Sequence, residues 1–116
     1  MAQCVTFHSG TVVSLGWRSW WCEFSPIKNG QGWMVEVELK GAYAGWQLCE
    51  AMKATEIEWQ DMGFSPGGRR AYVDAITEAG RDAWLTFIIR HLSETGQLNR
   101  DHELTAYSSF GLTYGD

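Results

Sequence analysis

The chain has 116 residues, of which 45% are hydrophobic and 20% charged, and its formal net charge is −5. Chains of this size and composition can bury a hydrophobic core, so we predict one domain over residues 1–116 and exclude an intrinsically disordered protein. The negative charge argues against a general attraction to phosphate backbones or anionic lipid, and direct nucleic-acid binding is not expected.

The N-terminal sequence and the hydropathy pattern favour a cytoplasmic protein. The first residues lack a basic segment followed by a long apolar run, and no stretch reaches the roughly 18 apolar residues that a membrane span needs. Cys4, Cys22 and Cys49 form an odd set without CxxC spacing. This pattern is typical of reduced, buried thiols, and one disulfide with a spare thiol is the alternative.

The first forty residues predict β-structure. Residues 3–24 are rich in β-branched and aromatic types broken by glycines, which predicts two or three short strands. Residues 25–32 concentrate turn formers, and Asn29 and Gly30 form a pair that favours a tight hairpin. Apolar and polar side chains alternate over residues 33–40, so a further strand is predicted there.

The middle of the chain predicts a short helix and then an ambiguous segment. Trp46, Cys49 and Met52 recur at helical spacing, which predicts a helix near residues 42–54. Residues 55–62 alternate again between acidic and apolar types. They favour either a further strand or a continuation of the helix.

One long helix is predicted over about residues 66–95. Ser65 can cap free amide groups, and Pro66 suits the first helical position because it has no N–H to leave unpaired. An apolar stripe keeps its 3.6-residue phase through Gly80, which favours one helix over two. Gly96 is expected to end it.

The C-terminal part predicts a return to β-structure. A polar linker around residues 99–102 precedes residues 104–114, which are rich in Thr, Tyr, Phe and Ser and predict one or two strands. The whole pattern therefore predicts an α+β fold, in which a mainly antiparallel sheet packs on one long helix. The other face of the sheet would meet water or a partner.

An acidic surface is the first candidate binding site. Alternation places the carboxylates of each strand on its outward face, and if the two strands are neighbours, several like charges lie within cross-strand reach. Such repulsion is destabilising, so a cluster of this kind is often retained because it binds a partner. The alternative interpretation is that these residues form an ordinary solvated strand face. The residues concerned are Glu36, Glu38, Glu56, Glu58 and Asp61.

An aromatic anchor is the second candidate, since the chain has seven tryptophans. Alternation sends Trp20 and Arg18 to the same side of a strand. If that side is exposed, the two form a pair of the residue types that most often dominate interface energies. The alternative is a Trp20 covered by the rest of the protein.

A possible anion-binding site is the third candidate. Gly67, Gly68, Arg69 and Arg70 would place free amides and two cations at the predicted helix N-terminus. The segment does not match the GxxxxGK[ST] phosphate loop, and cations in a first helical turn oppose the helix dipole. A capped, solvated helix start is the alternative.

Catalytic and metal-binding patterns are not found in the sequence, so we expect neither an enzyme nor a cofactor. His91 falls on the apolar stripe and is expected to be a core histidine, and residues 101–103 fall in the predicted linker. The cysteines and His8 match no common zinc-ligand spacing, and no serine lies in a GxSxG context. An enzyme would need two or more of four residues to converge in one cleft: His8, Cys22, Glu23 and His102.

In size, acidity, tryptophan content and lack of catalytic residues, the chain is similar to small inhibitory proteins of mobile elements, such as phage anti-CRISPR proteins and toxin-immunity proteins. This resemblance concerns general character and covers no specific motif. Together with the acidic surface and the excess of tryptophan, it favours a non-enzymatic, monomeric or homodimeric protein that binds and inhibits a larger partner with a basic surface. The alternative is an oligomeric structural or ligand-binding accessory module of virion type, with Arg18, Trp20 and residues 67–70 at its contact.

Overall fold

A computed structural model describes residues 3–7, 9–19 and 31–112, which contain five strands and three helices. The strands are β1 (Gln3–Thr6), β2 (Val12–Ser19), β3 (Gln31–Glu38), β4 (Asp61–Phe64) and β5 (Arg70–Ala75). The helices are α1 (Gly45–Lys53), α2 (Glu78–Glu94) and α3 (Arg100–Ser109).

The five strands form one antiparallel sheet in the order β1-β2-β3-β5-β4. β2 pairs with β3 in the register Val13↔Val37, which is the pairing that a hairpin between them produces. Most of the predicted hairpin loop, including Asn29 and Gly30, lies outside the described residues. β5 lies between β3 and β4, so the edge strand β4 comes before its inner neighbour in the chain.

One face of the sheet packs against all three helices. Val35 and Val37 of β3 are buried in a single core cluster with Leu48 of α1, Trp84 of α2 and Tyr107 of α3. Alternate residues of a strand point to opposite faces, so the other face of the sheet lies away from the helices. The predicted α+β fold, with a mainly antiparallel sheet packed on a long helix, is confirmed, as is the short helix at α1.

The long helix begins at Glu78, so the prediction that it starts near residue 66 is wrong. Residues 61–75 form the β4–β5 hairpin instead. In its turn the Gly68 amide donates a hydrogen bond to the Ser65 carbonyl at 2.9 Å. Gly68 has a φ of +75°, which glycine adopts without strain.

Periodicity alone could not place this boundary. Val73 of β5 and Trp84 of α2 are separated along the chain by about three helical turns. The strand residue Val73 therefore has the same helical phase as the apolar stripe of α2, and the sequence pattern continues from the strand into the helix without a break. The cap is Thr77, whose hydroxyl accepts the Gly80 amide at 3.0 Å. Gly80 therefore lies in the first turn of α2, where a glycine costs less than in the middle of a long helix.

Residues 55–62, which were predicted to form either a strand or a continuation of the preceding helix, form neither over most of their length. Residues 55–60 are irregular, and only residues 61–64 join the sheet, as β4. Ile57 packs against the core from this irregular segment. The segment therefore lies beside the helical layer and does not add a strand next to β3.

The strands predicted over residues 104–114 are also wrong, because residues 100–109 form α3. The Asn99 side chain caps this helix by accepting the His102 amide at 2.8 Å. The residues interpreted as a polar linker are thus the cap and first turn of a helix.

Burial along α3 follows a helical pattern. Ala106, Tyr107 and Phe110 are buried and face the core, whereas Ser108 and Ser109 are exposed. Three or four residues separate neighbours on one helical face, so this spacing suits a helix. The β-forming residue types of the segment outweighed that short pattern in the sequence-based prediction.

Candidate functional site

The face of the sheet that lies away from the helices, here called the outer face, carries the first candidate site. Its residues alternate with the core residues in the observed registers, and most are partly exposed. Asp74 is the exception, because it is fully buried although it belongs to this side. The outer face includes Val12, Ser14, Met34, Glu36, Glu38, Asp61, Arg70, Tyr72 and Asp74.

Glu36 and Glu38 lie on β3, the central strand, as predicted. Glu38 is opposite Arg70 of β5, and their side chains form an ion pair of 3.8 Å, with Lys40 at 4.0 Å from the same carboxylate. Glu36 is opposite Tyr72. Exposed ion pairs contribute little stability but neutralise charge locally. The charge of Glu38 is therefore partly compensated, and within the described residues Glu36 has no such ion pair.

Asp61 joins this surface from the edge strand β4. The Tyr72 hydroxyl donates a hydrogen bond to Asp61 Oδ2 at 3.0 Å, and the Met62 amide donates to Oδ1 at 2.9 Å. Tyr72 reaches across β4 because Gly63 leaves space for its ring: a Cβ at Gly63 would lie 2.9 Å from the ring. These bonds hold the Asp61 carboxylate in place beside Tyr72.

Glu56 and Glu58 do not lie on the outer face, so the predicted five-residue acidic surface is divided. Both are exposed in the irregular segment 55–60. The carbonyl of Glu58 accepts the Trp84 indole N–H at 2.8 Å, which ties the segment to α2 on the helical side of the sheet. β5 occupies the position next to β3 that the sequence-based hypothesis assigned to this segment.

A groove beside α2, which the sequence did not reveal, is the second candidate site and is called the α2 groove. It encloses about 770 Å³ between residues 57–60 and the start of the helix. Two large apolar side chains in it are substantially exposed, Trp59 at 44% and Ile76 at 43%. The remaining lining residues are Ile57, Glu58, Gln60, Thr77, Ala79, Gly80 and Ala83.

The α2 groove continues along the helix toward its C-terminal half. A second cavity of about 550 Å³ shares Ile57 and Ala83 with the first and ends at Phe87, Arg90 and Leu112. In a strand, Ile57 and Trp59 would point to the same side of the backbone. Because the segment is irregular, Ile57 packs on the core while Trp59 stays exposed.

The predicted anion site loses its helix N-terminus, because Gly67, Gly68, Arg69 and Arg70 lie in and after the β4–β5 turn. Arg70 pairs with Glu38 on the outer face. Arg69 and the two glycines line a small cavity of about 280 Å³ together with Lys40. The prediction rested on free amides at the N-terminus of the long helix. That helix is α2, which begins at Glu78 and not beside these residues.

The side chains of the predicted aromatic anchor lie outside the described part of the chain. Trp20 lies outside the described residues, and for Arg18 only the backbone is described, paired with Gly32 across β2 and β3. Their proposed contact role stays a prediction.

His91 is a partly buried histidine with a satisfied side chain. Its Nε2 and the Tyr43 hydroxyl are 2.5 Å apart and share a hydrogen bond, and its ring stacks on Phe87 with centroids 5.4 Å apart. Burial lowers the pKa of His91, although Glu94 nearby opposes this shift. The expected histidine with a satisfied side chain is found, but it lies beside the core cluster and is not part of it.

Cys49 is a buried thiol without the surroundings of a nucleophile. Its Sγ donates a hydrogen bond to the Gly63 carbonyl at 3.3 Å. Burial raises the pKa of Cys49, with Glu50 acting in the same direction and Lys53 opposing it. A raised pKa keeps the sulfur protonated and unreactive near neutral pH. His8, Cys22 and Glu23, which an enzyme would have combined with His102, lie outside the described residues.

Over residues 3–7, 9–19 and 31–112, no three His, Cys, Asp or Glu side chains are grouped as metal ligands. None of the helices in the same part of the chain combines the length and apolar character that crossing a bilayer requires. Comparison with protein-family models, with curated proteins and with solved structures gives no match.

Proposed function

We propose that this protein is a non-enzymatic binding protein that captures a larger protein partner through the outer face of its sheet. The observation that carries the proposal is the one-sided packing of the sheet: the three helices lie on one face, and Glu36, Glu38 and Asp61 lie on the other. The partner would present a basic surface, because complementary charge speeds association and selects partners.

The chemistry of the outer face suits a protein partner. Met34, Val12 and the ring of Tyr72 lie among the carboxylates, so apolar contact area and charge occur together. Such a mixture is typical of protein interfaces, whose centres combine aromatic and methionine side chains with a polar rim. The acidic side chains would repel a phosphate backbone.

Inhibition is the form of binding that we propose, since the chain is similar in size, acidity and lack of catalytic residues to small inhibitory proteins of mobile elements. Two properties of the described side chains support a non-enzymatic role. Cys49 is a protonated, hydrogen-bonded thiol, and His91 is engaged by Tyr43. Among the described residues, no histidine bonds to the Cys49 sulfur, so none activates it as a nucleophile.

Charge reversal on two separate surfaces tests this proposal. The variant Glu36→Lys/Asp61→Lys reverses two carboxylates of the outer face. The matched control, Glu50→Lys/Glu94→Lys, applies the same charge change to two exposed positions of α1 and α2 that belong neither to the outer face nor to the α2 groove. Both would be compared with the wild type in affinity capture from host lysate with quantitative mass spectrometry. The affinity of the captured partner would then be measured with purified proteins.

We expect the outer-face variant to bind its partner at least about tenfold more weakly, whereas the matched control keeps most of the affinity. Capture that survives in the outer-face variant, or that is lost equally in both, would contradict the proposal. Circular dichroism and thermal unfolding of each variant show whether the fold is intact. Light scattering distinguishes a monomeric binder from the oligomeric accessory module.

A further inference from the structure

The α2 groove has the features of a docking site that is separate from the outer face. It lies on the helical side of the sheet, where Trp59 and Ile76 expose close to half of their surface around a cavity of about 770 Å³. Isolated exposed apolar residues are common, but large ones that line a shared cavity mark binding sites more often.

The charges around the α2 groove are mainly negative. Glu58 and Asp82 line it, while Glu56 and Glu78 are exposed on the adjoining residues. Arg81 bonds to Asp82 at 2.8 Å, but its guanidinium lies 4.9 Å from the Trp33 ring centroid and so is held against the sheet. Its positive charge therefore offsets Asp82. Arg90 adds a further cation where the groove ends, so the excess of negative charge lies at the opposite end, with Glu56, Glu58 and Glu78.

The length of the α2 groove suits a short peptide segment. Its lining runs along α2 from Thr77 to Arg90, which corresponds to about 20 Å of helix axis. An amphipathic helix of about 14 residues has the same length and buries apolar side chains at i, i+3 or i+4, and i+7. Ala79, Gly80 and Ala83 are small, so they let such a segment approach α2 closely.

We infer that the α2 groove binds a basic amphipathic helical segment of a protein partner. A bulky apolar side chain of that segment enters between Trp59 and Ile76, and its lysines or arginines lie against Glu58 and Glu56. The carboxylates that the sequence placed on the sheet thereby acquire a role at a different surface. The inference does not depend on the outer face, and either site can be lost without the other.

Synthetic peptides provide the test, with the full chain as receptor. The probe is a fluorescein-labelled 14-residue peptide that carries leucines at i, i+4, i+7 and i+11 and lysines on its other face. A second peptide replaces the leucines with serines, and a third replaces the lysines with glutamates. Fluorescence anisotropy measures binding, and NMR spectra of the 15N-labelled protein locate it.

We expect the leucine–lysine peptide to bind and both altered peptides to bind at least about tenfold more weakly, since apolar anchors and charge each contribute. The Trp59 indole and the Gly80 and Ala83 amides should shift in the NMR spectra. The variant Ala79→Arg adds bulk and positive charge inside the groove and should weaken binding to a similar extent. Ser108→Arg makes the same addition at an exposed position of α3 and should leave binding unchanged.

Three results would overturn the inference: no binding of the leucine–lysine peptide, equal binding of the serine peptide, or unchanged binding to Ala79→Arg. Association of two copies of this chain through Trp59, detected by light scattering, would also overturn it. The variant Glu36→Lys/Asp61→Lys should bind the peptide as the wild type does. Its behaviour separates failure of the α2 groove from failure of the outer face.

Discussion

Two short segments of this chain have nearly the same pattern and different structures. Residues 35–38 read Val-Glu-Val-Glu and form the central strand β3, whereas residues 56–59 read Glu-Ile-Glu-Trp and form an irregular segment against α2. β3 has a hydrogen-bonded strand on each side. Alternation states which side chains share a side of the backbone, but the backbone becomes a strand only when another strand pairs with it.

The largest expected effect comes from the residue that anchors the irregular segment. Trp84 is fully buried, and its indole N–H donates to the Glu58 carbonyl. Trp84→Ala should lower the free energy of unfolding by about 3–5 kcal/mol, because a large cavity forms in the core. Urea unfolding followed by circular dichroism measures this loss.

Two other tryptophan variants sharpen the result. Trp84→Phe keeps most of the apolar volume but removes the donor to Glu58, and should cost about 1–3 kcal/mol. Trp46→Ala alters a side chain that is 52% exposed on α1 and should cost under about 1 kcal/mol. Similar losses for Trp84→Ala and Trp46→Ala would contradict the proposed anchoring.

The next effect concerns β5, the strand that takes the position beside β3. A Cβ at Gly45, the first residue of α1, would lie 2.5 Å from the Arg70 carbonyl oxygen. Gly45→Ala should therefore cost about 1–3 kcal/mol in thermal or urea unfolding, since helix and strand must move apart. Gly67→Ala is the matched control, because nothing lies within 4 Å of its Cβ and its stability should be nearly that of the wild type.

A smaller effect is expected from pH. Burial lowers the pKa of His91 below its usual value of 6.5, so the folded protein binds fewer protons at this site than the unfolded chain. Its free energy of unfolding should therefore fall as the pH drops through about 6.5 and below. His91→Asn should reduce this slope between pH 7 and 5, and His102→Asn, which leaves His91 in place, should retain it. An unchanged slope in His91→Asn would contradict the assignment.

The smallest effect on stability is expected for the carboxylates themselves. Glu36→Gln on the outer face and Glu58→Gln beside the α2 groove should each change the free energy of unfolding by about 0.5 kcal/mol or less. Both side chains reach solvent, so we expect them to contribute to partner binding and little to the free energy of unfolding. A loss well above this range for Glu36→Gln would mean that its carboxylate supports the fold.

Several elements were predictable because their signals were local. β3 shows strict alternation, α1 has apolar residues at helical spacing, and the C-terminal half of α2 lies on one continuous apolar stripe. The β4–β5 hairpin was missed because Ser65 and Pro66 suit a turn as well as a helix start. α3 was missed because threonine, tyrosine and phenylalanine favour strands on average, whereas contact with the core decides individual cases.

The candidate site was predictable only in part, for a similar reason. Glu36 and Glu38 were placed on a shared outward face by β3 alone, and that placement agrees with the structure. Their neighbours were not predictable, because the strand beside β3 is β5, which contributes Arg70 and Tyr72 instead of further glutamates. The α2 groove depends on contacts between residues 57–60 and the helix, which no local pattern reports.

By itself, the sequence determined that the chain folds, that its class is α+β, and which side chains alternate on its most regular strand. These properties follow from composition and from short-range periodicity. The tertiary structure alone decided which strand lies beside β3, which of two similar acidic segments joins the sheet, and that Trp59 and Ile76 meet at a groove. Strand pairing and packing join residues far apart in the chain, so they depend on which long-range contacts the whole fold satisfies together.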